Sequence, residues 1–336
     1  MNKLITPLLL VGLGACITPP EPEIPFQGIV LTELENSSRL PANVTLFFKA
    51  DYANGDPISD LNIADIDIYE DDALISAFEA DRDFLRDPEQ FRFTTLLVLD
   101  LSGSVLESEA LPVLKSSAQQ FINKVMGEVD RGSTEMAIYW FDGETNLHQL
   151  QEFTTDVNLL LNKVESITPG ISQDNSTNLY GAVVQSVDLM ENRMQALQGT
   201  DEILTAGSIM LFTDGTDRAG RVSKTEAMNK VQARSENLTL LSLGLGAEID
   251  QPTLEGVGRN GFAFAEDLNE LTNTFSQIAD KMSAEANSFY IFQYCSPKRA
   301  GDFTLRIDAR KNEQMGSLAS TYSADGFTGG CQVGFY

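Results

Sequence analysis

Residues 96–104 read Leu96-Leu97-Val98-Leu99-Asp100-Leu101-Ser102-Gly103-Ser104. The first four form a continuous apolar run, the pattern of a strand buried on both faces of a parallel sheet. The run ends on a carboxylate and two serines. Downstream, Leu111, Leu114, Ala118, Phe121, Ile122 and Val125 recur at helical spacing, with Pro112 in the first turn. Residues 136–141 read as the next strand, and Leu179, Val183, Val187, Met190 and Met194 mark another helix. Residues 209–212 and 238–243 are further buried strands, and Leu268, Leu271, Phe275, Ile278 and Met282 close the pattern on a last helix. Repeated strand-then-helix units predict an α/β fold over about 91–287: a doubly wound, mostly parallel, Rossmann-like sheet with helices on both faces.

The flanks read differently. In residues 26–90, Val44, Leu46, Phe48 and Ala50 alternate with Thr45, Phe47 and Lys49, a period of two. Asn54-Gly55-Asp56-Pro57 signals a turn, and Ile66 and Ile68 alternate with Asp65, Asp67 and Tyr69. The acidic run Asp65, Asp67, Glu70, Asp71 and Asp72 lacks the glycine and ligand spacing of an EF-hand loop. It is read as a solvated strand face and turn, with Ca²⁺ binding the alternative. After the last helix alternation returns, with Phe303, Leu305, Ile307 and Ala309 against Thr304, Arg306 and Asp308. Neither flank is long enough to build a core alone. Residues 26–90 and 288–336 are therefore predicted to pair into one β-sandwich-like domain.

The chain has 336 residues, 42% of them hydrophobic, so a packed core is expected. Its net charge of −26 repels nucleic acid and anionic lipid headgroups. Residues 1–15 carry one early lysine, Lys3, and a short apolar stretch, the proportions of a signal peptide. Leu13-Gly14-Ala15-Cys16 resembles the lipobox of bacterial lipoproteins, in which the cysteine thiol is acylated and becomes the new N-terminus. Ile17 in place of Asp, by resemblance to Gram-negative sorting rules, favours the outer membrane. Residues 16–25, with four prolines and two Glu, form an extended tether. With Cys16 lipidated, Cys295 and Cys331 remain, and in an oxidising compartment their default is a disulfide. His148, the only histidine, is placed on a solvated strand with no role, and a Zn²⁺ site lacks ligands.

On the α/β frame, Asp100, Ser102 and Ser104 follow one buried strand, and Thr213-Asp214-Gly215 ends another. Ligands in open α/β sheets bind outside the carboxyl ends of the strands, so both groups face one edge. Thr177 opens the helix beginning near Leu179. Two carboxylates and three hydroxyls make a hard oxygen site, suited to Mg²⁺, Mn²⁺ or Ca²⁺. Asp100-x-Ser102-x-Ser104, then Thr177, then Asp214 in Phe-Thr-Asp-Gly resemble the metal-ion-dependent adhesion site (MIDAS) of von Willebrand factor type A (VWA) domains. The resemblance spans about 91–287, including SLGLGAEID and GRNGFAF near its end, and residues 50–72 look like the β-rich segment preceding many bacterial VWA domains. Ser176 departs from it, standing where glycine often precedes the threonine. The resemblance implies that Ser102, Ser104 and Thr177 hold an ion directly or through water while Asp100 and Asp214 supply charge and fix waters. It further implies that a partner protein's Asp or Glu carboxylate completes the octahedron. Asp174 and Asp217 lie in the same loops and are read as rim residues.

Enzyme readings fit less well. A phosphotransfer D-x-D would need an acid at Ser102, and Ser102 or Ser104 as a nucleophile would need a better base than a lone His148. Gly244-x-Gly246 lacks the third glycine of a dinucleotide fingerprint, and there is no P-loop. The expectation is a non-enzyme, a lipid-anchored surface adhesin or receptor; the alternative is an envelope assembly factor holding another membrane protein through the same ion. Cys16→Ala is expected to move the protein from the membrane pellet to the soluble fraction, or to leave it as an unprocessed precursor. A processed Cys16→Ala form that still pellets after a high-salt wash would refute the anchor.

Overall fold

The computed structural model describes residues 28–76, 78–85, 90–127, 133–201 and 203–334. The signal peptide, Cys16 and the tether lie outside the described residues. The chain begins with the strands β1 (Ile29–Arg39), β2 (Asn43–Tyr52), β3 (Ile66–Glu70), β4 (Ala73–Ile75) and β5 (Arg82–Leu85). The α/β unit follows, as β6 (Phe91–Asp100), α1 (Gly103–Leu106), α2 (Ala110–Gly127), β7 (Ser133–Phe141), β8 (His148–Thr154), α3 (Val157–Glu165) and α4 (Leu179–Asp201). It continues through β9 (Leu204–Thr213), α5 (Lys224–Ala233), β10 (Leu238–Leu245), α6 (Gln251–Val257), β11 (Gly261–Ala265) and α7 (Leu268–Asn287). The chain closes with β12 (Phe289–Cys295), β13 (Asp302–Lys311) and β14 (Gln314–Ser323).

The central sheet runs β11-β10-β9-β6-β7-β8, parallel except for β8. β6, β9 and β10 are buried along nearly their whole length because helices cover both faces. On one face α1, α2, α3 and α7 pack their apolar stripes; on the other α4, α5 and α6 do so. This is the expected doubly wound α/β arrangement. The antiparallel edge strand β8 is half-buried or exposed along its length, so its residues show no apolar run from which it could be read.

The flanking β segments form two further sheets, β1-β2-β12-β5 and β14-β13-β3-β4. β12 pairs antiparallel with β2 and β5, and β13 with β3, so both sheets mix N- and C-terminal strands. Cys295 and Cys331 are joined in a disulfide. The first of these sheets lies between two cores. Val44, Leu46, Phe48 and Ala50 face the second sheet together with Tyr290, Phe292 and Tyr294. The opposite face of β2 is also buried, which alternation alone does not show. Phe47 packs 5.6 Å from Phe91 and 6.1 Å from Phe289, inside the core of the α/β unit.

The acidic run does not stay together. Glu70 is buried, and its carboxylate accepts hydrogen bonds from the hydroxyls of Tyr294 (3.0 Å), Ser296 (2.7 Å) and Tyr322 (2.5 Å). Burial first, then the neighbouring Glu70 charge, push the Tyr294 hydroxyl up from its ordinary pKa. Asp71 and Asp72 adopt φ of 48° and 63° in the two-residue turn between β3 and β4, a role Asp tolerates. Asp67 pairs with Arg310 at 3.0 Å and Asp65 with Lys311 at 3.5 Å. The solvated-face reading is corrected at Glu70, which the tyrosines of β12 and β14 bury.

One ion cluster ties the flanking sheet to the α/β unit. Lys49 on β2 lies 2.9 Å from Glu285 at the end of α7 and 2.9 Å from Asp51. Burial raises the pKa of Glu285, and Lys49 opposes that shift. Lys49→Met leaves Glu285 buried without its nearest counter-charge, for which the expected cost is about 3–5 kcal/mol in denaturant unfolding. Lys49→Met/Glu285→Met is expected to recover much of that loss. A single variant as stable as the parent would show that the cluster contributes nothing.

Candidate metal centre

The strand order places a crevice at β6. From β6 the chain goes to β7 and β8 on one side, then returns through α4 to β9 on the other. Such a reversal separates the loops at the carboxyl ends of the two central strands and leaves room for a ligand. Asp100 is the last residue of β6 and Thr213 the last of β9. Leu99 and Phe212 are register partners, so the two ends are level.

All five predicted residues come to this edge. Buried Asp100 accepts the Ser102 N–H at one carboxylate oxygen (3.0 Å) and the Thr213 hydroxyl at the other (2.6 Å). The Ser102 and Ser104 hydroxyls are 3.4 Å apart, and Ser104 donates to Asp214 Oδ1 at 3.0 Å. A Cβ built on Gly215 would stand 3.7 Å from Thr177 Oγ1, which places that hydroxyl against the Asp214–Gly215 turn. A run of hydrogen bonds thus links Asp100, Ser102, Ser104 and Asp214, with Thr177 beside its far end.

The loops that carry these groups brace one another. The Thr177 carbonyl accepts from Arg218 N (2.9 Å) and Ala219 N (3.1 Å), tying the threonine loop to the loop after β9. Gly103 N donates to the Asn175 carbonyl at 3.1 Å, and a Cβ on Gly103 would come within 2.8 Å of the Asn175 side chain. Glycine there is a packing requirement. Ser176 is accommodated because its N–H donates to Asp174 Oδ1 at 3.0 Å. The two rim acids are engaged in holding the loops. Asp174 also faces Arg221 at 3.7 Å, and Asp217 accepts from Tyr180 N (3.0 Å) and Gly220 N (2.9 Å).

The electrostatics match the composition of the site. Burial, and then the Asp214 charge, push the Asp100 carboxyl up to about 7 despite its hydrogen bonds from Thr213 and Ser102. Burial also raises Asp214. Two acids that resist ionisation, set among neutral hydroxyls, leave an unmet demand for positive charge. The donors are all hard oxygens, so the residues present fit an ion such as Mg²⁺, Mn²⁺ or Ca²⁺.

Sequence reasoning passed over two features. Thr213 holds Asp100, although only its neighbour Asp214 stood out in the Phe-Thr-Asp-Gly motif. His148 is part-buried and has close neighbours. Its ring stacks on Trp140 with centroids 4.0 Å apart, and its Nε2 lies 3.4 Å from Glu144 and 3.6 Å from Asp142. Asp142 directly follows β7, just as Asp100 ends β6, a signal the sequence did carry.

Comparison with known proteins assigns the domain class. Residues 95–216 match the family model described as "von Willebrand factor type A domain", so the chain contains a VWA domain. Mouse "Inter alpha-trypsin inhibitor, heavy chain 4" is 26% identical over 208 residues, covering 60% of this chain but only 21% of that protein. Among solved structures, a von Willebrand factor type A protein from Catenulispora acidiphila aligns with a TM-score of 0.48 at 9% identity, over 90% of this chain and 75% of that one. The mussel byssus proximal thread matrix protein 1, described with a zinc-occupied MIDAS motif, aligns with a TM-score of 0.46 at 15% identity, over 58% of this chain and 48% of that one.

The raised Asp100 acidity has a consequence for stability in chelator. Its folded value of about 7 lies above the ordinary carboxylate value, so between the two the folded state holds a proton that the unfolded chain has lost. The contribution of this group is therefore most favourable below about pH 4 and falls as pH rises to about 7. Asp100→Asn is expected to melt higher than the parent at pH 8 in chelator and to show no such gain at pH 4. Equal melting temperatures for the two proteins at pH 8 would count against a buried, repelled Asp100.

Proposed function

We propose that the chain is a lipid-anchored cell-envelope protein, exported to the outer membrane, that binds a partner protein through one divalent ion at this edge and performs no catalysis. In this reading it acts as a surface adhesin or receptor. The observation that supports it is the convergence of Asp100, Ser102, Ser104, Thr177 and Asp214 at the crevice beside β6, with Asp100 buried and reluctant to ionise.

When bound, a Mg²⁺, Mn²⁺ or Ca²⁺ ion would supply a positive centre for a carboxylate from outside. The protein's own groups do the rest. Asp100 is committed to Ser102 N–H and Thr213, which fixes its orientation and keeps it out of the partner's reach. Ser102, Ser104 and Thr177 offer neutral oxygens, so the edge does not become so negative that it repels an acidic ligand. Ser104 is exposed whereas Ser102 and Thr177 are buried, so the approach is from the Ser104 side. An Asp or Glu of the partner is the complementary group.

The test is capture from envelope extracts with Mg²⁺ or with chelator, alongside thermal melting. Stabilisation follows RT ln(1 + [L]/Kd), about 2.7 kcal/mol at a hundredfold excess of ion over Kd, so Mg²⁺ is expected to raise Tm. Asp100→Ala is expected to abolish both the rise and the capture, and Asp214→Ala to weaken them severely. Thr177→Ala is expected to keep the fold and reduce capture. Diffuse binding to the acidic surface predicts the opposite: unchanged Mg²⁺ shifts in Asp100→Ala and Asp214→Ala, with capture surviving chelation. Protease accessibility on intact cells reports the face of the membrane, and protection would favour an internal assembly role.

A further inference from the structure

We propose that Asp142, Glu144 and His148 form a second metal site, distinct from the all-oxygen site around Asp100, for Zn²⁺ or a neighbouring late first-row divalent ion. One ligand atom from each residue lies within 4.8 Å of the other two. His148 Nε2 is 3.4 Å from Glu144 Oε2 and 3.6 Å from Asp142 Oδ1. Ligands about 2.0–2.1 Å from a tetrahedral ion stand about 3.3–3.4 Å from one another, so these separations are close to the edges of a zinc tetrahedron. One imidazole and two carboxylates with a fourth position free is a zinc-type ligand set, and imidazole is the donor that the hard edge lacks.

The surroundings favour a ligand role over chance proximity. His148 Nε2 is buried and makes no hydrogen bond among the described residues, although two carboxylate oxygens lie close by. A buried imidazole nitrogen with no partner carries a desolvation cost that ligation removes. The ring cannot turn freely, because it stacks on Trp140 at an interplanar angle of 16°. Asp142 is equally fixed: Oδ1 accepts from Glu144 N at 2.8 Å and Oδ2 from the Ser172 hydroxyl at 2.6 Å. Hydrogen bonds of this kind hold a ligating carboxylate in place for a metal.

The site also touches the loop that carries Thr177. The Asp142 carbonyl accepts from Asn178 N at 2.8 Å, and Gly143 N donates to the Asp174 carbonyl at 3.3 Å. An ion on Asp142 would therefore stiffen the 172–178 loop. The proposal does not depend on metal at the Asp100 site, and the test separates the two.

His148 is the only histidine, so a single pair of imidazole nitrogen signals reports on it. The exported Asp100→Ala protein is titrated with Zn²⁺ in a background of excess Mg²⁺ and followed by nitrogen NMR and equilibrium dialysis. The expected result is one Zn²⁺ per chain and a stoichiometric shift of the His148 Nε2 signal. Adding His148→Gln or Glu144→Gln is expected to weaken binding at least about tenfold. The NMR reading needs no substitution in the site itself, so a folding defect in either variant does not confound it. An unmoved His148 signal would mean that the imidazole takes no Zn²⁺ and would overturn the proposal. So would undiminished Zn²⁺ affinity in both variants.

Discussion

β12 has no solvated face. All seven of its residues are buried, and they alternate between two cores. Phe289 and Ile291 enter the core shared with β6, α2 and α7, while Tyr290, Phe292 and Tyr294 enter the core between the two outer sheets. Burying an aromatic side chain contributes about 1.5–3 kcal/mol, so this single strand carries a large share of the cohesion between units. It follows α7 almost directly, which makes the last helix of the α/β unit and the middle of the flanking sheet one continuous device. The Lys49–Glu285 pair lies at the same junction and admits only the register in which the two charges meet.

That arrangement leaves the opposite end of the central sheet free. The flanking sheet packs where β6 begins, near Phe91 and Phe93, and the loops at the carboxyl ends of the strands are left to build a ligand edge. Three neighbouring strands each deliver an Asp there: Asp100 from β6, Asp142 just past β7 and Asp214 just past β9. Asp100 and Asp142 are held alike, each accepting a backbone N–H at one oxygen and a hydroxyl at the other, and burial and Asp214 raise Asp100.

The net charge of −26 and the local charge of the edge act on different scales. Exposed charges are screened beyond about 8–10 Å at physiological salt, so the acidic surface governs solubility and approach. Asp100 lies inside, where screening is weak and each neighbour counts. The demand for positive charge at the edge therefore follows from a few fixed distances and not from overall acidity.

The sequence by itself determined the α/β unit, because runs such as Leu96–Leu99 and the helical stripes of α2 and α7 depend only on local periodicity. It also placed Asp100, Ser102, Ser104, Thr177 and Asp214 at one edge, since strand ends in a parallel sheet must face one side. The cysteine pair followed from counting. Tertiary structure decided what depends on partners distant in sequence. Glu70 belongs to a run of acids that looks solvated, and only the approach of Tyr294 and Tyr322 buries it. Phe47 and Lys49 lie on the face that alternation assigns to water, and only the α/β unit behind that face covers them. His148 gained its neighbours through the β7–β8 hairpin, whose edge strand has no apolar run to announce it. Local patterns record which face of an element is apolar; what lies against the other face is fixed only when the sheets stack.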